Sequence, residues 1–531
     1  MYDILLTVDT ASVDWARAQF ALTAAYHWLF VPLTLGLALI MGIMETVYYR
    51  TRSTFWLGVS KFWQRLFGVN FAMGVATGII LEFEFGTNWS NYSWFVGDIF
   101  GAPLAVEGIV AFFMESTFVA VMFFGWKKVS AGFHLASTWL TGLGATISAW
   151  WILVANAWMQ CPVGCEFNPD TVRNEMTSFA DVALSPFAID KFFHTVISSW
   201  IVGTVFVVAV SCWYMLRRRH RELSVASIKV ASVVGIAASL LAMGTGDMSA
   251  VKVAETQPMK LAAMEALYDG GSGVGLTAVA AVNPFSQPDY ASGGEPLLRI
   301  AIPSGLSFLA THSADGYVPG INDILRGYVR ADGTVEPSVR EKMARGRRAV
   351  DALASYRRLM AQTPRDEAAL AECRKQLDAD MRYFGYGYVS DDADVVPFVP
   401  VCFYAFRVMV GLGTLLLLFF LVVGHIAFRS DVSRPRWLHI SALVMLPLAY
   451  VASEAGWIVA EMGRQPWAIQ DMMPTWAAVS DIGSSSVIVT FFLFLVLFTT
   501  LLVTEISIMC RLIAKGPEAV CGDGTPTDEA A

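Results

Sequence analysis

The sequence predicts an all-α integral membrane protein with nine transmembrane helices. Hydrophobic residues make up 55% of the 531 positions, charged residues only 15%, and the mean hydropathy is +0.53. A soluble domain of this length does not tolerate such a composition. The apolar residues also fall into stretches of about 20 residues, the length that a helix needs to cross the hydrocarbon core. We place the spans near 27–49, 66–85, 104–126, 135–158, 192–216, 225–245, 398–424, 438–460 and 485–508.

The distribution of basic residues predicts the orientation of these spans. Arginine and lysine concentrate after the odd-numbered spans, as in Arg50 and Arg52, Lys127 and Lys128, and the cluster at 217–221. Cytoplasmic loops carry such an excess. The N-terminus is therefore expected outside and the C-terminus in the cytoplasm, and an odd number of spans requires this difference.

A long polar insertion divides the chain into three regions. We expect spans one to six in 1–246, an extracytoplasmic loop in 247–397, and spans seven to nine with a short cytoplasmic tail in 398–531. The loop contains a charged stretch with helical spacing over about 339–383. A loop of this length is usually a lid or a binding element.

Cysteine usage and charge say little about function. Cys161 and Cys165 lie close together in one loop, and both a local disulfide and free thiols remain open. The chain has no CxxCH haem-attachment motif. The short basic cluster at 217–221 flanks an apolar span, so nothing indicates a nucleic-acid partner.

The most specific pattern is GWIVAEMGRQPW, from Gly456 to Trp467 at the end of the eighth span. Glu461 and Arg464 lie where a helix leaves the lipid, and a charge at a helix centre costs about 2.5–3.5 kcal/mol on insertion scales. Such residues normally face a cavity, a partner or a cofactor. Glu454 precedes Glu461 by seven residues, so the two carboxylates share one face of the helix.

Histidines and glutamates are the other candidates for chemistry inside the spans. Only His27 and His194 lie within a span near its outer end, and a neutral imidazole is a common haem iron ligand. Each histidine taken alone is more often hydrogen-bonded to a neighbouring helix. Glu107 and Glu115 are about 12 Å apart along the third span. This span has no lysine or arginine to pair with them, which favours a proton path.

Arg407 and Met409 open the seventh span, and a thioether can be the second axial ligand of a low-spin haem. A lone methionine usually packs in a core, so its own surroundings do not identify Met409 as a ligand. Two other classes of haem protein are excluded. Haem–copper oxidases need many more intramembrane histidines, and di-haem cytochromes b need paired histidines on two helices.

Across nearly the whole chain, successive blocks resemble subunit I of cytochrome bd-type quinol oxidases in order and spacing. The blocks are QFALTAAYHWLFVPLTLG, FGVNFAMGVATG, EFEFGTNW, VGDIFGAPLAVEG, FFMESTF, WILVANAWMQ, KFFHTV, KLAAMEA, FYAFRVMV and GWIVAEMGRQPW. The long insertion resembles the quinol-binding loop, or Q-loop, of the long-loop subgroup.

The resemblance implies roles for individual residues. His194 and Met409 would be the axial ligands of a low-spin haem b. His27 and Glu461 would each bind one haem of the oxygen site, a high-spin haem b and a haem d. The assignment between them stays open, with His27 favoured for haem d and Glu107 on the other side of that iron. The remaining implied roles are proton delivery for Glu115 and Ser148, quinol binding for Lys260 and Glu265, and the haem environment for Arg407, Glu454, Trp457 and Arg464.

The function implied is that of a terminal respiratory oxidase in the bacterial inner membrane. Quinol would be oxidised at the outer face, and O2 would be reduced to water with cytoplasmic protons, generating a proton motive force without pumping. The implied partners are a homologous membrane subunit II, a small single-helix subunit, quinol, O2 and the lipid bilayer. The choice between ubiquinol and menaquinol stays open.

Two alternatives remain from the sequence. The first is the cyanide-insensitive branch of the same family, with haem b in place of haem d; its loop is usually shorter. The second is a proton-coupled transporter without haem, in which Glu107, Glu115 and Glu461 carry protons. Transporters often contain a pseudo-repeat, and we find none here.

Overall fold

The computed structural model describes residues 10–293, 296–363 and 365–517. Within these residues, nine helical segments are long and apolar enough to cross a membrane. The first six segments comprise α1 (Thr10–Thr51), α2 (Thr54–Thr87), α3 (Ser90–Val106) with α4 (Phe113–Phe124), α5 (Ala131–Gln160), α6 (Phe179–Ala183) with α7 (Pro186–Leu216), and α8 (Arg221–Thr256). The loop helices are α9 (Pro258–Glu265), α10 (Gly305–Thr311), α11 (Ile321–Arg326), α12 (Val339–Met360) and α13 (Glu367–Asp380). The last segments are α14 (Val399–Arg429), α15 (Arg436–Met462), the short α16 (Thr475–Ala478) and α17 (Ser484–Lys515).

The helices agree with the predicted spans, but most of them are longer. Helix α1 begins at Thr10 and α8 continues to Thr256, because polar helical turns extend past the apolar core of each span. The third span is not one regular helix. A π-helical turn, Glu107–Phe112, separates α3 from α4, and such turns are frequent at functional sites.

Helix α7 lies at the centre of the bundle, and most of its side chains are buried. It packs against α1, α5, α8 and α15. The contact with α1 requires two glycines, because a Cβ on Gly36 would lie 2.6 Å from the Cα of Gly203. Helices α7, α8, α14 and α15 pack in a closed ring, since α14 contacts both α8 and α15.

The long loop contains small antiparallel ladders and the helices α9 to α13. Earlier in the chain, β1 (Cys165–Asn168) pairs with β2 (Arg173–Met176) after α5. In the described residues the strands of the long loop pair as β3 (Gly271–Ser272) with β6 (Tyr317–Val318), β4 (Leu276–Ala281) with β5 (Leu297–Ile302), and β7 (Tyr328–Val329) with β8 (Val335–Glu336). The charged stretch predicted as helical forms α12 and α13. Arg345 and Arg348 of α12 both contact the buried Asp380 carboxylate, at 2.7 and 2.9 Å.

The second half of the long loop packs onto the segment that follows α15. Tyr386 donates a hydrogen bond to Asp471 at 2.9 Å, and its ring lies 4.8 Å from that of Trp467. The backbone N–H of Gly385 donates to the Asp471 carbonyl. The loop therefore fixes the chain directly after the GRQPW sequence.

Candidate functional site

A cavity of about 870 Å³ lies among the transmembrane helices, and much of the predicted site faces it. Helix α1 contributes His27, the third span two acids, α5 a serine, and α15 a group of aromatic and charged residues. The predicted residues that line the cavity are His27, Glu107, Glu115, Ser148, Glu454, Trp457, Glu461 and Arg464. Residues far apart in sequence thus converge on one space.

The acids of the third span lie against α5. Ser148 donates a 2.6 Å hydrogen bond to Oε1 of Glu107, while Oε2 is buried without a partner in the described part of the chain. Glu115 is also buried, and its Cγ would lie 2.6 Å from a Cβ on Gly144. A glycine at 144 therefore allows α5 to pack over the Glu115 side chain.

The Glu461 carboxylate is held from both sides. Asn156 donates to Oε1 at 2.9 Å, and Arg464 forms a short ion pair with Oε2. Arg464 also donates to the Ala468 carbonyl at 2.8 Å, which fixes the guanidinium. Its Nε atom is buried without an acceptor among the described residues, so one donor remains available for an anionic group.

His27 and His194 have matching surroundings on different helices. Nδ1 of His27 lies 2.9 Å from the Thr77 hydroxyl, and Nδ1 of His194 lies 3.0 Å from the Thr245 hydroxyl. Each threonine donates its own proton to a carbonyl one turn earlier in its helix. Each hydroxyl oxygen therefore accepts from Nδ1–H, which leaves the Nε2 lone pair available for a metal.

Small residues face three of the predicted iron ligands. The glycine after each threonine lies against the imidazole: a Cβ on Gly78 would lie 3.1 Å from Cε1 of His27, and one on Gly246 would lie 3.4 Å from Cε1 of His194. A Cβ on Gly456 would lie 3.2 Å from Sδ of Met409. A larger residue at any of these positions would crowd its ligand.

His194 and Met409 lie outside the cavity wall, in the ring of α7, α8, α14 and α15. His194 on α7 contacts α8, and Met409 on α14 contacts Gly456 on α15. Trp457 of α15 lies between this ring and the His27 end of α1, and its indole packs edge-on against Trp28 at 5.0 Å. The predicted low-spin ligands His194 and Met409 thus lie apart from the cavity that the predicted oxygen-site residues line.

Lys260 and Glu265, the predicted quinol pair, lie on α9 but have separate partners. Both are 2% exposed. The Lys260 ammonium donates to Gln160 and Gln257, and burial, with help from other cations, holds its pKa well below the usual range. Glu265 accepts from Arg407 at 2.8 Å, and burial still raises the pKa of the Glu265 carboxyl despite this guanidinium.

The residues present fit haem. Two imidazoles offer Nε2, a thioether faces a glycine, and a carboxylate and a free guanidinium donor lie in a cavity of the size that cofactor sites have.

Sequence reasoning missed several residues that the fold brings to these sites. Asn156 and Gln160 were part of a motif, but their polar contacts depend on α15 and α9, which are distant in sequence. His134, near the start of α5, is 1% exposed, and its Nδ1 lies 2.7 Å from Glu45. The glutamate in the first span could have signalled this buried pair.

Comparison with known proteins identifies the family. The model of the family "Cytochrome bd terminal oxidase subunit I" matches residues 15–517. A relative in Escherichia coli (strain K12), "Cytochrome bd-II ubiquinol oxidase subunit 1", is 41% identical, over 96% of this chain and 97% of its own. "Cytochrome bd ubiquinol oxidase subunit 1" of Bacillus subtilis (strain 168) is 33% identical, over 95% of this chain and 94% of its own.

A solved structure supports the fold independently. The chain in "The structure of bd oxidase from Geobacillus thermodenitrificans" has a TM-score of 0.75 and 22% identity, over 96% of this chain and 100% of its own. These matches confirm the predicted resemblance and fold class, and they argue against the transporter alternative. The chain therefore belongs to the cytochrome bd terminal oxidase subunit I family.

Proposed function

We propose that this chain carries the haems of a terminal quinol oxidase in the bacterial cytoplasmic membrane. Membership of the family makes it an oxidoreductase subunit that contains haem. The relatives in E. coli and B. subtilis are named as ubiquinol oxidase subunits, which supports quinol as the electron donor. The single observation that carries the assignment of the site is the convergence of His27, Glu107 and Glu461 on one cavity.

The low-spin haem b would be held by His194 and Met409 within the ring of α7, α8, α14 and α15. His27 and Glu461 would hold the high-spin haem b and haem d, and Glu107 would contribute to the haem d site. When bound, these groups supply electron transfer and oxygen chemistry. The threonine partners of both histidines support the assignment, because they take the Nδ1–H proton and leave the Nε2 lone pair for the iron.

The chain itself would deliver protons to the cavity. Glu115 lies deeper along the third span, towards the side predicted to be cytoplasmic, and both acids line the cavity. Ser148 already contacts Glu107 and can accept and donate a proton in turn. Protons would therefore pass from Glu115 by way of Ser148 to Glu107, without a pumping step.

Quinol would bind where α9 meets α14 and the first half of the long loop. Lys260 and Glu265 are buried in this conformation, so binding requires the loop to open. Charge separation across the membrane then follows from where protons are taken up and released.

The partner would be a homologous membrane subunit II, and a small single-helix subunit would add to the complex. Beside the cavity, the third span exposes large apolar side chains: Ile109 is 68% exposed and Phe113 is 64% exposed. Exposed apolar side chains within a span require lipid or another subunit to cover them. Their place next to Glu107 favours subunit II at this face.

The test is the His194→Ala variant of the purified complex. The low-spin haem b absorption should disappear and quinol-driven oxygen consumption should stop, while absorption from the cavity haems remains. Survival of the low-spin absorption would refute the ligand assignment.

Glu115→Gln tests the proton path in the same complex. Oxygen consumption should slow, because a neutral amide cannot pass a proton, while quinol reduces the low-spin haem at the normal rate. Unchanged oxygen consumption would argue against the path.

A further inference from the structure

A chain of hydrogen bonds connects the long loop with the cavity. The Lys260 ammonium donates to Oε1 of Gln160 at 2.9 Å. The amide nitrogen of Gln160 donates to Oδ1 of Asn156 at 2.7 Å, and that of Asn156 donates to Oε1 of Glu461 at 2.9 Å. Two amides on α5 therefore link a cation on α9 with a carboxylate on α15.

Lys260 fixes which atom donates and which accepts in each of these hydrogen bonds. An ammonium has three donors and no acceptor, so the Gln160 side chain must present its oxygen to Lys260. Its amide nitrogen then faces Asn156, which presents its oxygen in turn and leaves its own nitrogen for Glu461. Reversing either amide would place two donors or two acceptors against each other.

Burial makes the hydrogen bonds between Lys260 and Glu461 costly to break. Gln160 is fully buried and Lys260 is 2% exposed, so water cannot replace a lost partner at either residue. The Lys260 side chain packs directly on the GRQPW sequence, because a Cβ on Gly463 would lie 2.8 Å from its Cγ. No residue larger than glycine fits there without moving Lys260.

The charges around Glu461 also support a link between this carboxylate and Lys260. Glu461 forms a direct ion pair with Arg464, and the two amides link it to a second cation, Lys260. A second branch leaves Lys260 through Gln257, which donates to Gln470 and not to Glu461. The two branches share the ammonium but differ in their end points.

We propose that Lys260, Gln160 and Asn156 act as positioning residues for Glu461, so that the state of the quinol loop sets the donor strength of this carboxylate in the oxygen site. The proposal rests on the proposed function, in which Glu461 is a haem ligand and Lys260 belongs to the quinol site. Movement of α9 during quinol binding would pull Lys260 from Gln160 and release the Asn156 amide.

The proposal predicts the direction in which the midpoint potential of the haem at Glu461 shifts. A carboxylate that loses a hydrogen-bond donor becomes a stronger donor to ferric iron, and loss of the Lys260 charge also disfavours the reduced form. Both changes lower the midpoint potential of the haem at Glu461. We expect about a tenfold fall in its ratio of reduced to oxidised form at fixed potential, about 59 mV for one electron.

The experiment is a spectroscopic redox titration of the purified complex carrying Asn156→Leu, Gln160→Met or Lys260→Met. Each variant should lower the potential of one high-spin haem and leave the low-spin haem of His194 unchanged, which also reports correct folding. Lys260→Arg keeps a donor-only cation, so its potential should stay close to that of the parent and not fall as in Lys260→Met. The matched control Gln257→Met removes the other partner of Lys260 and should leave the potential as in the parent.

Two further variants separate the possible failures. If Glu461→Gln leaves both high-spin haems unchanged, the ligand assignment in the proposed function is wrong. If Glu461→Gln changes one of them but Asn156→Leu and Gln160→Met do not, the positioning chain is refuted and the ligand stands. Adding Lys260→Met to Asn156→Leu should lower the potential by less than Lys260→Met does in the parent, because only the effect of the lost charge remains. An equally large additional shift would mean that Lys260 acts wholly through space and would overturn the hydrogen-bond chain.

Discussion

The ion pair between Arg407 and Glu265 fastens the first half of the long loop to α14. Arg407 donates to Oε2 of Glu265 at 2.8 Å and to the Thr277 carbonyl at 2.9 Å, and it also donates to the Met264 carbonyl. Its guanidinium lies 4.0 Å above the ring of Phe403 on α14. One side chain thus holds α9 and β4 in place, and Arg407→Met removes all of these contacts.

The expected loss of loop stability follows from the Glu265 carboxylate, which Arg407→Met leaves buried without its cation. The Glu265 side chain is 1% exposed, and removing one partner of a buried ion pair typically costs about 3–5 kcal/mol. The spans do not depend on this pair, so the cost should appear as local opening of the loop. A change of 3 kcal/mol corresponds to more than about a hundredfold faster amide exchange.

Hydrogen–deuterium exchange of residues 258–281 in lipid nanodiscs measures this opening, with amides of α7 as the internal control. Arg407→Met should lose protection in the loop alone. Arg407→Met combined with Glu265→Met should recover part of it, because no unpaired charge remains buried. Equal exchange in the single and double variants would refute the reasoning.

The defect should also depend on pH. Burial raises the pKa of Glu265, so the folded loop binds a proton more readily than the open loop does. A raised pKa contributes stability at low pH that is lost as pH rises through the folded-state value. Loss of Arg407 raises this pKa further, so protection in Arg407→Met should improve as pH falls, after correction for intrinsic exchange.

Two other predictions concern the haem ligands. Thr245→Val removes the acceptor for Nδ1–H of His194, so the low-spin haem should bind about 10- to 100-fold more weakly and its occupancy should fall. Thr245→Ser keeps the hydroxyl and should retain the haem. Pyridine haemochrome assays measure the occupancy, and a normal value in Thr245→Val would contradict the prediction. Gly456→Ala places a methyl group 3.2 Å from Sδ of Met409 and should weaken the low-spin absorption band. The control Gly413→Ala, with no atom near its Cβ position, should leave the band unchanged; an effect of equal size there would show that helix propensity is responsible.

The fold was largely predictable because lipid imposes one simple rule on the sequence. A span needs about 20 apolar residues, and each predicted stretch lies within or close to one of the helices that the structure describes. Composition could not predict the π-helical turn at Glu107–Phe112. The turn packs against α5, and no single residue type signals it.

The site was predictable where a residue is unusual for its surroundings. Glu107 and Glu461 are conspicuous because charges are rare within spans. Asn156 and Thr245 were not found, since an amide or a hydroxyl in a membrane helix is ordinary. Their importance comes from tertiary contacts with Glu461 and His194.

The predicted quinol pair shows the opposite case. Lys260 and Glu265 are five residues apart on one short helix, and the sequence suggested one shared role. The structure directs one side chain towards α5 and the other towards α14. The direction of a side chain on a helix in a loop depends on what covers it, which local sequence does not specify.

The measurement that tests the central claim most directly is a reduced-minus-oxidised absorption spectrum of the purified complex, with the haems extracted and quantified. The account predicts haem b bands together with a chlorin band in the red, in a ratio of two haem b to one haem d. Haem b bands alone would contradict the haem d assignment and favour the cyanide-insensitive branch. A complex without haem would contradict the account of the cavity and of the ligand pair His194 and Met409.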